Sequence, residues 1–387
     1  SSVPSNLILR KVVVIHRHGD RSQISKNLGK VYPESDEIAS KWRKTMPTQR
    51  TFRKMLLSAN PEQTTIINDN AVDAVSSISS GWDKINYPYA QLTEIGSNQL
   101  EAVGKELKTR YHPKNLVPSD INIASSSIYC RSTSMCRTGQ SLRSLLAGMF
   151  EINPDEYGDK IPVNALDNLP TIRIRPFEEE NMYPHGGSTS MIHRRNTVYP
   201  PGLASRTFPG YTEFESRMRE LLGLPERINW QAVMEVLHCH AVHGIEHVKG
   251  VTQSDMEWIT KLSAWHWGVL YKDTGLNKLA IGRFIYDILA DLKSAYDGAR
   301  NKNILFYSGH DSTLVPVLCA LGLYDDCWPP YGAHLTLEFA TTATTPTNHQ
   351  QHHYVRAVYN NKDMQMFGGT APVWCPLETF WKAMEGV

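Results

Sequence analysis

Three features of this 387-residue chain predict an α/β fold, with a mixed, mostly parallel central sheet flanked by helices and a mainly helical cap inserted. Two apolar runs, Val12-Val13-Val14-Ile15 and Ile304-Leu305-Phe306-Tyr307, have the unbroken character of strands buried on both faces. Each leads directly into a polar segment with histidine and glycine, and open α/β sheets place their ligands at such strand ends. From Phe177 to about Ala299 the apolar spacing turns mostly helical, which reads as the cap. The expected organisation is one composite unit. Its α/β core comprises 1–25, 92–176 and 300–387, and its inserted segments are 26–91 and 177–299.

The first strand reads Leu7-Ile8-Leu9, a polar pair Arg10-Lys11, then Val12 to Ile15. Residues 26–91 hold scattered charge and polar runs such as Ser76-Ser77-Ile78-Ser79-Ser80, with no clear strand. Thr93 is placed to cap a helix whose apolar face is Leu100, Val103, Leu107 and Tyr111, ending before Pro113. Core strands are expected near Ile121 and Ile172, and a helical pattern of Met135, Leu142, Leu145, Leu146 and Met149 lies between them. In the cap, Thr212 is the expected N-cap of a helix through Phe214, Met218, Leu221 and Leu222. Further helices run from Trp230 to Leu237, Met256 to Tyr271 and Leu279 to Tyr296. His334 to Phe339 and Tyr354 to Tyr359 alternate as strands, joined by a Thr/His/Gln-rich surface loop over 341–351.

Composition sets bounds. A formal net charge of +1 gives no overall bias towards nucleic acid or an anionic membrane surface. No apolar stretch has transmembrane length, and neither heptads nor internal repeats occur. The chain opens Ser1-Ser2-Val3-Pro4 without methionine, so a removed targeting segment or tag is expected, and a secreted or organelle-lumen location is favoured over the cytosol. It contains no Asn-x-Ser/Thr sequon, so heavy N-glycosylation is not expected. The six cysteines, Cys130, Cys136, Cys239, Cys319, Cys327 and Cys375, leave the pairing and the oligomeric state open.

The chemistry lies in three segments. Arg17-His18-Gly19-Asp20-Arg21 sets an imidazole between two permanent cations: the guanidinium groups can grip phosphate oxygens bidentately and the imidazole can attack phosphorus. Ser308-Gly309-His310-Asp311 follows the second apolar run. Between them Arg131-Ser132-Thr133 leads to Arg137-Thr138, where a cation near a helix start joins an anion-friendly terminus. A lone His-Gly or His-Asp pair is expected by chance among 15 histidines; order and strand context give these two their weight.

Together these segments resemble the histidine acid phosphatases, the branch of the histidine phosphatase superfamily marked by RHGxRxP near the start and HD near the end. The resemblance spans the whole chain. Leu92-Thr93-x-x-Gly96 is similar to the family's opening of its first long core helix, and Arg131-Ser132-Thr133-x-x-x-Arg137 to its middle element. Leu145 to Phe150, Trp328-Pro329-Pro330 and Cys375-Pro376-Leu377 are similar to the lysophosphatidic acid phosphatase group. Gln23 departs from the pattern where the family has proline, removing a fixed φ angle after Arg21.

The resemblance implies an acid phosphatase that hydrolyses phosphate monoesters through a phosphohistidine intermediate. It makes His18 the nucleophile and Asp311 the general acid and later base, with Arg17, Arg21, Arg137 and His310 holding the phosphate. Arg131 and Arg143 lie close enough in sequence to take the place of Arg137. A small phosphorylated substrate, no cofactor, metal-independent turnover and an acidic optimum are the corresponding expectations. Lysophosphatidate or another small phosphomonoester comes first as substrate and phytate or an inositol phosphate second, because near-neutral composition gives no sign of a strongly basic pocket. A catalytically silent phospholigand-binding protein is the reading from another class.

Two further clusters stand out. His238-Cys239-His240-x-x-His243-Gly244-Ile245-Glu246-His247 contains the short HxxEH pattern of some zinc peptidases, but Gly244 weakens the helix that pattern needs. Packing or a place in the substrate pocket is expected before metal binding. Trp258, Trp265, Trp267 and Tyr271 are expected to pack the cap, with an apolar lining for a lipid-like substrate as the second reading.

Overall fold

The computed structural model describes residues 3–30, 32–59, 86–157, 168–185, 187–245, 248–298, 302–343 and 351–386. One sheet contains β1 Leu7–Arg17, β2 Ile128–Ser132, β3 Ile172–Ile174, β4 Ile304–Gly309, β5 His334–Thr342, β6 His353–Tyr359, β7 Lys362–Met364 and β8 Cys375–Pro376. Its order is β3-β2-β4-β1-β5-β6-β7, with β8 on β6. The longer helices are α1 Asp36–Arg43, α2 Gln49–Ser58, α3 Glu94–Tyr111, α4 Cys136–Met149, α5 Thr189–Val198, α6 Tyr211–Leu222, α7 Trp230–His243, α8 Gln253–Tyr271, α9 Thr274–Tyr296, α10 Asp311–Ala320 and α11 Leu377–Met384.

The sheet is mixed. Strands β1 to β4 pair in parallel, and β5 to β8 join antiparallel beyond β1. The two apolar runs are adjacent, with Arg17 opposite Gly309, while β2 flanks β4 with Ser132 opposite Ser308. The three chemistry-bearing segments therefore leave the sheet at one level, on three neighbouring strands.

Strand β1 is covered on both sides. Val13 and Ile15 join an apolar layer with Phe284 and Ile288 of α9 and Leu314 and Leu318 of α10. Val12 and Val14 join the opposite layer with Leu100 and Leu107 of α3 and Leu142 and Leu145 of α4. Successive strand side chains point to opposite faces, so a strand sandwiched between helices needs an apolar residue at every position. The polar interruption Arg10-Lys11 sits where the register against β5 slips between Leu9 and Lys11. Lys11 there turns its Nζ onto Asp291 O at 3.1 Å. Away from the sheet, Leu28, Met218 and Leu222 pack with Val233, Val236, Met256 and Ile259 in a smaller cluster spanning α6, α7 and α8.

Several expectations shift. No strand begins near Ile121: Ile121–Ile123 is a 3-10 turn capped by Asp120, whose Oδ1 accepts Asn122 N at 2.9 Å, and the strand starts at Ile128. Arg131 and Ser132 lie on that strand, and the helix after them begins at Cys136. Thr212 does not cap α6; Gly210, with φ 78°, turns the chain into the helix two residues earlier. Thr93 does cap α3, accepting Gly96 N at 3.1 Å. Strand β5 alternates as expected but is buried on both faces: Leu335, Leu337 and Phe339 join the layer of α9 and α10, and Glu338 on the other face accepts from Tyr111 Oη at 2.7 Å and Arg356 Nε at 2.7 Å. Ser76 to Ser80 and most of the 341–351 loop lie outside the described residues. All six cysteines are free thiols. Among the described residues no helix is long and apolar enough to cross a membrane.

His16, the residue before the first motif, makes stability pH-dependent. It is fully buried opposite His334, its Nδ1 donates to Arg17 O at 3.1 Å, and its Nε2 has no hydrogen-bond partner. Burial, more than the proximity of His334, lowers its pKa from 6.5 to about 4. The unfolded chain therefore takes up this proton below pH 6.5 while the folded one refuses it until about pH 4. Its contribution is complete above pH 6.5 and lost as pH falls through that window, worth about 3 kcal/mol. In urea unfolding at pH 7 and pH 4.5, His16→Gln should narrow the difference between the two stabilities. Identical pH dependence in parent and variant would refute this.

Candidate active site

The loop Arg17 to Arg21 is fixed by its backbone before any side chain is considered. His18 N donates to Gly309 O at 3.0 Å, Gly332 N donates to His18 O at 3.1 Å, and Arg17 N donates to Ala333 O at 2.8 Å. The loop rests directly on the start of α3. A Cβ on Gly19 would lie 2.2 Å from Gly96 O, and one on Gly96 would lie 2.1 Å from Asp20 O. This close approach explains why both positions are glycine, and it joins the first motif to Leu92-Thr93-x-x-Gly96. Thr93 completes the joint by donating its hydroxyl to Asp20 Oδ1 at 2.5 Å.

His18 Nδ1 lies 2.8 Å from Gly19 O. A carbonyl only accepts, so Nδ1 bears the proton and Nε2 keeps a lone pair. The His310 ring stands edge-on to His18 with centroids 5.4 Å apart, and Tyr331 lies 5.7 Å from it on another side. Arg17 stacks over Tyr331 at 4.1 Å, donates to Pro329 O, and pairs with Asp311 Oδ2 at 2.9 Å. Arg21 pairs with Glu235 and donates to Ser22 O at 3.1 Å. Arg137 is buried in the first turn of α4. The Nε donors of Arg17, Arg21 and Arg137 are all buried without a hydrogen-bond partner. His310 is set by its N–H, which donates to Thr313 Oγ1 at 3.0 Å, and by its Nε2, 3.0 Å from Thr133 Oγ1.

Burial pushes the His18 pKa well below its ordinary value, reinforced by the charges of Arg137, Arg17 and Arg21. His310 is depressed by burial and the same three arginines. Both imidazoles are therefore neutral, and His18 keeps its ring lone pair below the ordinary imidazole range. Arg137 itself is lowered to about 10, first by burial and then by Arg21. It stays cationic at neutral and acidic pH.

The arginines of the middle element separate cleanly. Arg131 turns away from His18 into an ion pair with Glu180 at 2.6 Å and another with Asp287 at 3.0 Å. Arg143 points to backbone carbonyls, reaching Ala59 O at 2.8 Å. Gln23, standing where proline was expected, is buried, and side-chain bonds replace the ring's constraint: Nε2 donates to Ser25 O at 2.8 Å, while Oε1 accepts from Trp42 Nε1 at 3.3 Å and meets His240.

The histidine cluster disperses. His238 Nε2 meets Thr260 Oγ1 at 2.9 Å, His240 meets Gln23, and His243 meets Asp20 Oδ1 at 2.6 Å. Helix α7 ends at His243, where Gly244 turns left-handed with φ 61°; Glu246 and His247 lie outside the described residues. Among the described residues no three His, Cys, Asp or Glu side chains are grouped to hold a metal.

Glu235 and Tyr331 were not singled out by sequence reasoning. The one available signal for Glu235 is that it is the only acid in the otherwise apolar-rich α7. Tyr183 also escaped notice; its ring lies 5.8 Å from His310 and its hydroxyl is buried without a partner. Near the arginine cluster opens a cleft of about 970 Å³ with a mostly apolar lining that includes Phe208, Val242, Met256, Trp265 and Trp328. Of the four expected cap aromatics, Trp265 lines this cleft, Trp258 packs on Phe214, and Trp267 packs on Trp328 and Tyr271. The cleft comes close to Arg17 at Trp328, which lines it, because the next residue, Pro329, accepts from the Arg17 guanidinium through its carbonyl.

Comparison with known proteins identifies the family. The chain is 25% identical over 317 residues to lysophosphatidic acid phosphatase type 6 of Mus musculus, covering 76% of this chain and 67% of that protein. It is 27% identical over 312 residues to human testicular acid phosphatase, covering 76% and 70%. It is 23% identical over 404 residues to counting factor 60 of Dictyostelium discoideum, covering 98% and 86%. Among solved structures, the apo form of Hafnia alvei phytase shares the fold with a TM-score of 0.62 at 15% identity, covering 99% of this chain and 97% of that one. The family model for the histidine phosphatase superfamily (branch 2) matches residues 8–172 and 237–360, so the chain belongs to that family and is a phosphoric monoester hydrolase of the acid phosphatase type.

Proposed function

We propose that this enzyme transfers the phosphoryl group of a monoester to Nε2 of His18 and then to water. The observation that carries the reading is the convergence on a neutral His18 of three guanidinium groups with unpartnered Nε donors. Arg17, Arg21 and Arg137 neutralise the phosphoryl oxygens, and His310, held by Thr133, donates to the same group. In the first step the Nε2 lone pair forms the N–P bond as the ester P–O bond breaks, and Asp311 delivers its proton to the departing oxygen. In the second, Asp311 takes a proton from the attacking water as the P–N bond breaks. The guanidinium groups supply the charge neutralisation for which other phosphatases use a metal ion.

Lysophosphatidate or a similar monoester with a bulky apolar leaving group is the substrate class that the cleft beside Arg17 favours. Steady-state assays of an aryl phosphate, a lysophosphatidate and phytate, each with and without chelator, test this. The expected order of kcat/KM places lysophosphatidate above phytate, unaffected by chelator. Preference for phytate would overturn the substrate class, and complete, metal-reversible inhibition would overturn the mechanism.

A further inference from the structure

The clamp is not as cationic as its arginines imply. Arg17 is matched by Asp311 at 2.9 Å and Arg21 by Glu235, while both imidazoles are neutral. With Asp311 ionised, three guanidinium groups against two carboxylates leave a single uncompensated charge, and Glu235 is the carboxylate that remains once Asp311 carries the proton it delivers. Asp311 has a chemical task in the proposed cycle; Glu235 has none. Yet Glu235 is held firmly. Its side chain is 10% exposed, and its Oε1 accepts from Arg21, from Ile24 N at 2.7 Å and from Cys239 Sγ at 3.7 Å. All these contacts fall on Oε1; among the described residues Oε2 accepts none, and it is not one of the sealed, unpartnered atoms. A fixed carboxylate edge thus remains open next to the phosphate-gripping face of Arg21.

The surroundings do not offset that charge. Besides His238 and Cys327, the ionisable lining of the neighbouring cleft is Glu257, Asp325 and Asp326 against Lys261, with Asp326 paired to Lys272 at 2.7 Å. A second anionic group on the substrate would meet more carboxylates than cations there, with Lys261 the one cation that lines the cleft among the described residues.

We infer that Glu235 is a specificity-determining residue, whose carboxylate beside Arg21 rejects substrates carrying a second anion next to the scissile phosphate. Discrimination arises by repulsion rather than by an added attraction. The inference rests on the assignment of Arg21 to the phosphate clamp.

A matched substrate pair reads it directly: glycerol 2-phosphate and 2-phosphoglycerate differ by one neutral hydroxymethyl group replaced by a carboxylate beside the phosphate. The parent enzyme should favour glycerol 2-phosphate in kcat/KM. Glu235→Gln should shrink that preference by about tenfold, the scale of one charge pair a few ångströms apart across a partly buried site. Glu235→Asp, which keeps the charge while shortening the side chain, should retain most of the preference. A merely structural role for Glu235 would lower both substrates together in the Gln variant and leave their ratio unmoved, which overturns the inference. Equal use of both substrates by the parent enzyme overturns it without any variant. Failure of the parent enzyme to hydrolyse either ester would instead defeat the phosphatase mechanism on which the inference rests.

Discussion

Replacing His18 with alanine should reduce phosphomonoester hydrolysis by about 10⁴-fold or more, the loss expected when a covalent nucleophile is deleted and only binding and charge stabilisation remain. The fold should survive, because the hydrogen bonds that fix this position are made by its backbone. His18 N on Gly309 O and Gly332 N on His18 O persist in the alanine variant, and among the described residues the one side-chain hydrogen bond lost is a local one to Gly19 O. The variant should also retain inorganic phosphate binding, since Arg17, Arg21 and Arg137 are untouched. Phosphate trapped from substrate under alkaline quench should appear on Nε2 of His18 in the parent protein and be absent from the variant. Robust turnover by His18→Ala, or label on another side chain, would remove the covalent mechanism.

The parts of this site differ in how readable they are from sequence, and the reason is physical. Arg17, His18, Arg21, His310 and Asp311 each sit within a few residues of an unbroken apolar run, so strand position and chemistry can be read from the same short window. Arg137 is harder. Arg131, Arg137 and Arg143 lie within one segment, and only tertiary contacts decide between them: Glu180 and Asp287 claim Arg131, and the carbonyl of Ala59 claims Arg143. Glu235 and Tyr331 could not be read this way, because their relevance lies in contacts across the fold. The Arg21–Glu235 pair joins residues 214 apart in sequence, and nothing local to α7 marks which of its faces meets Arg21. The misplaced strand at Ile121 has a local cause. Ile-Asn-Ile has the alternation of a strand, but the Asp120 carboxylate competes for the backbone N–H of Asn122 and closes a turn, leaving Ile123 55% exposed.

Asp311→Asn should divide substrates by leaving group. Asp311 starts α10, its Oδ1 accepts Ser312 N at 2.8 Å, and its Oδ2 lies on Arg17. Asparagine keeps the shape and an oxygen for either contact, so the loss isolates proton transfer. In the proposed mechanism an incoming phosphoryl group competes for the Arg17 guanidinium and frees the carboxyl to face the ester oxygen. An alkyl ester leaves as a strongly basic alkoxide and needs that proton as its bond breaks; a nitrophenyl ester leaves as a stable phenolate and does not. General acid catalysis of this kind contributes about 10² to 10⁴-fold. The variant should therefore lose about 10²-fold or more in kcat/KM for glycerol 2-phosphate and less than about tenfold for p-nitrophenyl phosphate. kcat/KM is the parameter to compare, since it reports formation of the phosphohistidine. Both substrates share its hydrolysis, in which Asp311 acts as base, so kcat should fall for both. A burst of p-nitrophenol followed by slow turnover should appear in the variant. Equal losses in kcat/KM for the two esters, without a burst, would assign Asp311 to holding Arg17 in place and leave the leaving-group proton to another donor.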